Sequence, residues 1–285
     1  MDREYKKELS FFVQQALRED VRDGDHTSLA ALPEDKMGEA KLLVKENGIV
    51  AGVDVGVEIL KEVDPTLQIE VFIKDGDKVN VGDIVLTTKG RIHSILKAER
   101  LVLNVMQRMS GIASRTAQYV KELSGTKARV LDTRKTTPLL RFLEKRAVVV
   151  GGGVNHRFGL YDMILIKDNH VDYAGSVFQA VSNALKYKIE KGIDIPIEVE
   201  VRNFQELEEL MGCNGVERVM FDNFTPENVK RAVELVNGKM MTEASGGITL
   251  ETIRSYAVTG VDFISVGALT HSVKSLDLSL KAKLI

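Results

Sequence analysis

The residues with the strongest chemical character lie between Ala128 and His170. Counting Lys, Arg, Asp and Glu, this stretch has eight bases and four acids, an excess of four positive charges in a chain whose formal net charge is -2. Thr136, Thr137 and three consecutive glycines at 151–153 add hydroxyl groups and permissive backbone. Cationic side chains beside exposed amides predict a binding site for a small polyanion, because both donate hydrogen bonds to anionic oxygens. The eight bases are Arg129, Arg134, Lys135, Arg141, Lys145, Arg146, Arg157 and Lys167.

Polar residues also follow short apolar runs at regular intervals along the second half of the chain. The strand-like runs are 128–132, 162–166, 195–201, 217–221, 239–243 and 262–266. The carboxyl ends of parallel strands meet at one edge of a sheet, which is where barrel enzymes place their active sites. The series therefore predicts one site built by several strand ends. Its residues are Asp132, Arg134, Lys135, Lys167, Asp168, Glu198, Glu200, Asp222, Asn223, Glu243, Ser245, Gly246, Gly247, Ser265 and Gly267.

The elements that position these residues alternate between strand and helix. Helical stretches at 203–211, 225–237 and 249–258 separate the later strands. Six strand-helix units predict a parallel sheet covered by helices, either an open doubly wound sheet or a closed or partly closed barrel. The glycine-rich segments are GGG and SGG, and no GxGxxG opens the first helix of this series, which disfavours a dinucleotide site.

The first half of the chain has a different pattern. A helix near the N-terminus is followed by strands at 40–44, 48–52 and 67–73 and by an amphipathic helix at 55–63. The segment 94–125 is the largest helical region, with an expected break at Ser110–Gly111. Its 285 residues make the chain long enough for one large or two ordinary domains.

Composition narrows the class of protein. The chain is 44% hydrophobic and 28% charged, as expected of a soluble globular protein. Its single cysteine, Cys213, excludes an intramolecular disulfide and fits a reducing compartment. The N-terminus is charged, and no apolar run approaches the roughly 18 residues of a membrane span. We therefore expect a cytoplasmic protein that binds neither a membrane nor nucleic acid, because its positive charge is concentrated in one stretch.

Six motifs, taken together and in order, resemble one enzyme family. They are ERLVLNVMQRMSGIAS, DTRKTTP, GGGVNHRFGLYDMILIKDNH, PIEVEV, EASGGI and ISVGALTHS. Over roughly its whole length the chain resembles quinolinate phosphoribosyltransferase, also called nicotinate-nucleotide pyrophosphorylase (carboxylating). The resemblance implies a pentosyltransferase of the de novo branch of NAD biosynthesis. It would convert quinolinate and phosphoribosyl pyrophosphate to nicotinate mononucleotide, pyrophosphate and CO2, with Mg2+ as the cofactor.

The same resemblance implies an α/β fold with an N-terminal α/β sandwich domain plus an incomplete α/β barrel of about six strands. We place the sandwich at 1–110 and the catalytic barrel at 111–273, and expect the tail 274–285 to pack back on the sandwich. The resemblance also implies a homodimer with shared active sites, and leaves open whether dimers assemble further. One departure is Leu139, which stands where the family often has glycine after DTRKTTP.

Site residues follow from the resemblance by position. The two carboxylates of quinolinate need cationic partners, and these would be Arg134, His156, Arg157 and Lys167, with Arg100 reaching in from the other subunit. The catalytic residues would be Lys135, Glu200 and Asp222. The two carboxylates would act through ribose hydroxyls or as ligands, direct or through water, of the Mg2+ ion. The phosphate and ribose group would comprise Lys135, Glu200, Asp222, Ser245, Gly246, Gly247, Gly267 and His271.

Two choices within these assignments rest on the residues themselves. Glu198 and Glu200 share a face of one strand, and we choose Glu200 because it lies nearer the carboxyl end. We expect Arg141, Lys145 and Arg146, which have helical spacing, to form a solvated face.

Three other functions remain open. A molybdenum-transport-associated paralogue shares the fold and several motifs, but the intact set of dicarboxylate ligands disfavours it. A Schiff-base aldolase-like barrel would use Lys135 or Lys167 as its nucleophile. The segment 75–90 resembles half of a lipoyl-carrier barrel, which would need an exposed lysine at a hairpin tip, and no convincing one is present.

Overall fold

The computed structural model describes residues 3–283. Residues 1–2 and 284–285, which the predicted domain ranges include, lie outside the described part of the chain. The first elements are α1 (Arg3–Asp20), α2 (His26–Ala31), β1 (Met37–Val44), β2 (Gly48–Ile49), α3 (Val53–Val63), β3 (Gln68–Val71), β4 (Lys78–Val79), β5 (Ile84–Arg91) and α4 (Ile92–Glu122). Then follow β6 (Arg129–Leu131), α5 (Arg141–Val150), β7 (Ile164–Ile166), α6 (Asp168–Ala174), α7 (Val177–Lys191), β8 (Ile197–Val201), α8 (Phe204–Met211), β9 (Arg218–Asp222), α9 (Pro226–Val236), β10 (Met241–Ser245), α10 (Ile253–Ala257), β11 (Phe263–Ser265), α11 (Ala268–His271) and β12 (Leu278–Lys283).

The chain divides into two compact units. Unit 1 contains Met1–Ala117, Thr137–Gly152 and Val273–Ile285, and unit 2 contains Gln118–Thr136 and Gly153–Ser272. The sequence prediction divides the chain after residue 110, whereas the contacts place the division within α4 and give α5 to unit 1. Helix α5 belongs to unit 1 because it packs closely against α4. A Cβ atom on Gly151, which ends α5, would lie 2.4 Å from the carbonyl oxygen of Ala113 on α4.

Unit 1 is built around a four-stranded antiparallel sheet with the strand order β12-β1-β5-β3. Alternate residues of β1 are buried, and Leu42 and Val44 are fully so, as expected of a strand that faces a core on one side. The C-terminal strand β12 pairs with β1 from Glu39 to Val44. Among the described residues, no helix is long and apolar enough to cross a membrane.

The predicted break at Ser110–Gly111 does not occur, because α4 continues through both residues. The Ser110 hydroxyl accepts a hydrogen bond from the Ala51 amide at 2.9 Å. A Cβ atom on Gly111 would lie 2.3 Å from the carbonyl oxygen of Lys274. These two small residues therefore serve close packing in the middle of the helix and do not end it.

Two residues of the segment Thr137–Gly152, Leu139 and Lys145, bear on expectations from the sequence. Lys145 is almost completely buried, so the predicted solvated face is wrong for this residue. Leu139 has φ +66°, a backbone conformation that glycine adopts readily and other residues rarely do, and its side chain is 85% exposed. The glycine expected at this position by resemblance would therefore suit the backbone found here.

Unit 2 contains a six-stranded parallel sheet with the order β6-β11-β10-β9-β8-β7. The outermost strands β6 and β7 are not paired with each other, so the described sheet is an incomplete barrel, as predicted. All five residues of β8 are buried. Burial on both faces is typical of parallel strands covered by helices, and it places any charged side chain of β8 in the interior.

Candidate active site

The carboxyl ends of the unit 2 strands position the predicted site residues. Arg134 and Lys135 follow β6, and Lys167 follows β7 directly. Asp222 ends β9 and lies opposite Ser245, the last residue of β10. Because all six strands run in the same direction, these side chains are brought to one edge of the sheet.

Several of these residues line one cavity of about 340 Å³ within unit 2. The predicted quinolinate ligands of this unit are all present, and Lys135 and Ser245 join them. Among the described residues, its lining consists of Thr133, Arg134, Lys135, His156, Arg157, Leu165, Lys167, Met220, Ser245 and Ser265. Four cationic side chains therefore line the cavity: those of Arg134, Lys135, Arg157 and Lys167.

Two aspartates hold the loop between α5 and β7, which contains Arg157. The Asp132 carboxylate, which is fully buried, accepts a hydrogen bond from the His156 amide at 2.9 Å. The Asp162 carboxylate accepts bonds from the amides of Phe158 and Gly159 at 2.6 and 2.9 Å. These bonds fix the backbone on both sides of Arg157, so the loop presents that guanidinium in a defined place.

The positive charges of Arg134 and Arg157 repel each other across the cavity. Burial, and after it the nearby charge of Arg134, lowers the pKa of the Arg157 guanidinium. Arg157 also donates a hydrogen bond to the carbonyl oxygen of Met163 at 3.2 Å. The Lys167 ammonium lies 2.6 Å from the Glu200 carboxylate, which is 5% exposed. A small dianion would relieve the repulsion between the two arginines.

A second charged group adjoins the cavity through His156, and sequence reasoning missed it. The His156 Nε2 atom lies 3.0 Å from Glu198 and 3.6 Å from Glu243. Arg218 Nη1 lies 2.9 Å from the same oxygen of Glu243. Burial raises the pKa of Glu198, and burial followed by the charge of Glu198 raises the pKa of Glu243 to about 8. The strand sequence IEVEV did not reveal this group, because alternation of charged and apolar residues usually indicates one solvated face.

The residues predicted for phosphate and ribose include glycines that follow β10 and β11. Gly267 packs between Lys135 and His271, because a Cβ atom there would lie 3.1 Å from a carbon of each side chain. Gly246 has φ +106°, and a Cβ atom on it would lie 2.2 Å from the Asn223 side-chain oxygen. Gly247 has φ +60° with open space where its Cβ would stand. Gly247 therefore leaves its backbone accessible, whereas Gly246 is required for packing.

Other predicted residues do not line the cavity in the described part of the chain. Arg100 is exposed on α4 in unit 1. Asp222 is half-buried, and its Oδ2 atom accepts a hydrogen bond from Asn223 Nδ2 at 2.9 Å. Glu200 takes part through its ion pair with Lys167.

Two family models match this chain, one in each half of the sequence. The model of the quinolinate phosphoribosyl transferase N-terminal domain matches residues 25–110, and that of the C-terminal domain matches residues 112–281. The chain belongs to the quinolinate phosphoribosyltransferase family. Both domain models match in order and together cover most of the chain, as the six motifs led us to expect.

Individual members of the quinolinate phosphoribosyltransferase family agree with this assignment. Quinolinate phosphoribosyltransferase [decarboxylating] 1b of Nicotiana tabacum is 45% identical over 96% of this chain and 82% of its own length. The chloroplastic nicotinate-nucleotide pyrophosphorylase [carboxylating] of Arabidopsis thaliana is 46% identical over the same shares. The structure of the nicotinate-nucleotide pyrophosphorylase from Francisella tularensis superposes with a TM-score of 0.91 at 40% identity, covering 97% of this chain and 96% of that one.

Proposed function

We propose that this chain transfers the phosphoribosyl group of phosphoribosyl pyrophosphate to quinolinate and decarboxylates the product. The products are nicotinate mononucleotide, pyrophosphate and CO2. The observation that carries the proposal is the cavity in which Arg134, Lys135, Arg157 and Lys167 meet. Family membership supplies the reaction class, and the cavity supplies the charge that a dicarboxylate requires.

Recognition of quinolinate rests on the two arginines and Lys167. Arginine's planar fork binds a carboxylate through two parallel hydrogen bonds, and lysine adds a point charge. Burial, and after it the charge of Arg134, lowers the pKa of Arg157, and a bound dianion would offset the charge of Arg134. The pyridine nitrogen then attacks the anomeric carbon of the ribose, and pyrophosphate leaves with the electrons of the broken bond. The resulting ring cation stabilises the carbanion that remains when the adjacent carboxylate departs as CO2, and this carbanion takes a proton from water to give nicotinate mononucleotide.

The phosphoribosyl side of the site is assigned to Lys135 and the glycine turns after β10 and β11. Lys135, Gly267 and His271 pack together, which suits them to the pyrophosphate. The Ser245–Gly247 turn follows one of the last strands, where barrels often bind phosphate through backbone amides, and we assign the 5′-phosphate to it. Glu200 and Asp222 supply negative charge that stabilises the positive charge developing on the ribose.

Mg2+ fits the same two carboxylates. When bound, the ion would neutralise charge on the departing pyrophosphate. It takes oxygen ligands and keeps several waters, so one or two carboxylates suffice. Asp222 is half-buried at the end of β9, while one Glu200 oxygen is bound by Lys167. Asp222 is therefore the better direct ligand, and Glu200 would act through its other oxygen or through water.

The homodimer and the cellular compartment complete the proposal. Arg100 is exposed on α4, and we propose that it enters the site of the partner subunit, as the family resemblance implies. The thiol Cys213 is free, which fits a reducing compartment such as the cytoplasm.

The test is to incubate the protein with quinolinate, phosphoribosyl pyrophosphate and Mg2+ and to measure the three products. Equal amounts of nicotinate mononucleotide, pyrophosphate and CO2 are expected. Nicotinate lacks one carboxylate and would leave cationic groups unpaired, so its specificity constant should be about a thousandfold lower. Comparable specificity constants for the two acids would contradict the charge argument.

The same preparation separates the competing functions. The molybdenum-transport-associated paralogue would give no nicotinate mononucleotide. An aldolase-like enzyme would be trapped covalently at Lys135 or Lys167 by borohydride with a carbonyl substrate, as intact mass would show. Either result would overturn the proposed reaction.

A further inference from the structure

The backbone of Lys135 is held on both sides by threonine hydroxyl groups of unit 2. Its amide donates a hydrogen bond to the Thr133 hydroxyl at 3.1 Å. Its carbonyl oxygen accepts a hydrogen bond from the Thr270 hydroxyl at 2.8 Å. Thr133 belongs to the same loop as Lys135, whereas Thr270 lies on α11, which follows β11. The loop after β6 is therefore tied to the turn that follows the neighbouring strand.

The Thr270 hydroxyl has one proton to donate, and its distances to two carbonyl oxygens differ. The Gly267 carbonyl oxygen, three residues earlier in the turn, lies 3.3 Å from Oγ1, and the Lys135 carbonyl oxygen lies 2.8 Å from it. The shorter distance is that of an ordinary O–H···O hydrogen bond, and the longer one exceeds the usual range. Thr270 is fully buried, so its hydroxyl cannot turn to solvent instead. The geometry thus directs the hydroxyl proton to Lys135.

The side chain of Lys135 is guided by Gly267 of the same turn. A Cβ atom at position 267 would lie 3.1 Å from Lys135 Cδ and 3.1 Å from His271 Cδ2. Gly267 has φ -65°, which any residue can adopt, so glycine leaves space here and is not needed for the backbone conformation. The lysine side chain is therefore fixed at its base by Thr270 and confined in its middle by the turn around Gly267.

This arrangement reduces the cost of using an exposed lysine to bind an anion. Lysine has four rotatable bonds, and ordering them on a ligand costs free energy. A base and a middle section that are already in place lower that cost, because only the terminal ammonium remains to be ordered. Thr270 is absent from the described lining of the cavity, so its effect on a ligand passes through Lys135.

We propose that Thr270 is a positioning residue for Lys135: its buried hydroxyl fixes the backbone from which the lysine ammonium meets the pyrophosphate group of phosphoribosyl pyrophosphate. This inference rests on the proposed function, which assigns Lys135 to the pyrophosphate. Quinolinate is assigned to other cationic residues of the cavity. Loss of the Thr270 hydroxyl should therefore weaken the binding of one substrate much more than that of the other.

Two substitutions of Thr270 test this role. Thr270→Val keeps the shape of the side chain and removes the hydroxyl group, so the affinity for pyrophosphate, measured by titration calorimetry with Mg2+, should fall about tenfold. The KM for phosphoribosyl pyrophosphate should rise by a similar factor, with a change of less than about twofold in the KM for quinolinate. Thr270→Ser keeps the hydroxyl and should restore both properties to within about twofold. An equal rise in both KM values, or no rescue by serine, would contradict the positioning role.

A double-mutant cycle tests whether Thr270 acts through Lys135. Lys135→Met removes the ammonium and should lower the affinity for pyrophosphate about thirtyfold. In this background Thr270→Val should weaken binding by less than about twofold, because the group that it positions is gone. An equal loss in both backgrounds would show that Thr270 affects the site by another route, and would overturn the proposal.

The hydrogen bond itself can be observed in solution. Lys135–Thr136 is the only Lys-Thr pair in the sequence. Protein labelled with 13C at the lysine carbonyls and 15N at the threonine amides therefore gives one HNCO signal, which reports the Lys135 carbonyl. A hydrogen bond moves a carbonyl carbon signal downfield, so this signal should move upfield in Thr270→Val and stay nearly in place in Thr270→Ser. An unchanged signal in the valine variant would overturn the proposal.

Thr116→Val is the matched control. Thr116 is also fully buried, and its hydroxyl donates a hydrogen bond to the Ile112 carbonyl oxygen at the same distance of 2.8 Å. It lies on α4 in unit 1. This variant should lower thermal stability and leave the pyrophosphate affinity, both KM values and the Lys135 signal unchanged.

Two further outcomes are distinguishable. If Thr270→Val does not fold, Thr270→Cys, whose S–H is a weak donor, should give an intermediate loss of pyrophosphate affinity. A cysteine variant that binds as tightly as the unmodified protein would overturn the proposal. Absence of product with the unmodified enzyme would instead reject the proposed function, while the pyrophosphate titration and the Lys135 signal would still test the role of Thr270.

Discussion

The ammonium of Lys167 and the carboxylate of Glu200 form an ion pair of 2.6 Å at the ends of neighbouring strands. Lys167 is assigned to the quinolinate carboxylates and Glu200 to the ribose. The pair therefore links the two substrate positions through one contact. Glu200 is 5% exposed, so removing Lys167 would leave its charge uncompensated in the interior.

Our first prediction is that the two residues are strongly coupled in catalysis. Lys167→Met and Glu200→Gln should each lower kcat/KM for quinolinate about a hundredfold, because each removes a charge from the site and leaves its partner unpaired. The double variant should lose at least about tenfold less than the product of the single losses. Steady-state kinetics of the four proteins measure this coupling.

The exposed ion pair Lys186–Glu190 on α7 in unit 2 is the control for that cycle. Lys186→Met and Glu190→Gln should leave kcat/KM unchanged, singly and together, because solvent screens an exposed pair. If the fold-loss of kcat/KM in the double variant equals the product of the two single losses, Lys167 and Glu200 act independently.

The second prediction concerns the 5′-phosphate. Gly247→Asn should raise the KM for phosphoribosyl pyrophosphate about tenfold or more and change that for quinolinate little, because its side chain would occupy open space beside the proposed phosphate amides. Asparagine tolerates positive φ, so backbone strain stays small. Gly246 is unsuitable for this test, since any Cβ there would strike Asn223.

Gly192 provides the matched control for Gly247. Its φ of +61° is close to the +60° of Gly247, and it too has open space at the Cβ position. Gly192→Asn should therefore reproduce the effect on stability without any effect on either KM. Equal KM values for phosphoribosyl pyrophosphate in the two variants would show that the Ser245–Gly247 turn does not bind the phosphate.

Much of unit 2 could be predicted because its strands are short apolar runs that end in polar residues. Lys167 and Asp222 could be placed at strand ends from this pattern alone. The pattern could not show that Glu198 is buried, because alternation of charged and apolar residues in β8 usually indicates one solvated face. Here the neighbouring elements bury both faces, and the charges meet partners from two other strands.

The local errors have the same origin in tertiary contacts. Lys145 has a position on α5 typical of a solvated base, yet it is buried. Ser110 and Gly111 are residue types that often occur at the end of a helix, yet each makes a close contact with a distant segment. Propensity describes a segment in isolation, and packing with other segments decided these cases.

The third prediction uses the backbone of Leu139. Leu139→Gly should raise the melting temperature by roughly 2 °C, because glycine removes about 1 kcal/mol of strain at φ +66° and little buried surface is lost from a side chain 85% exposed. Calorimetry measures the change. Leu139→Ala retains a Cβ atom and should give no increase, so an equal increase in both variants would exclude backbone strain as the cause.

The fourth prediction is that each active site takes Arg100 from the other subunit. In a twofold dimer every chain would give its Arg100 to its partner and receive one in return. Lys135 lines the cavity of its own chain. Arg100→Ala and Lys135→Ala homodimers should therefore each be nearly inactive, with Lys135→Ala still folded, because this exposed side chain contributes charge and little core packing.

Mixing the two variants distinguishes a shared site from one built within a single chain. If the chains are refolded together and pair at random, about half of the dimers contain one chain of each kind. With Arg100 acting across the interface, each mixed dimer has one site with both defects and one with neither, and activity should return to roughly a quarter of the unmodified level. With Arg100 acting in its own chain, every site of a mixed dimer carries one defect. Verified mixed dimers without any recovered activity would reject the shared site and leave the reaction itself unaffected.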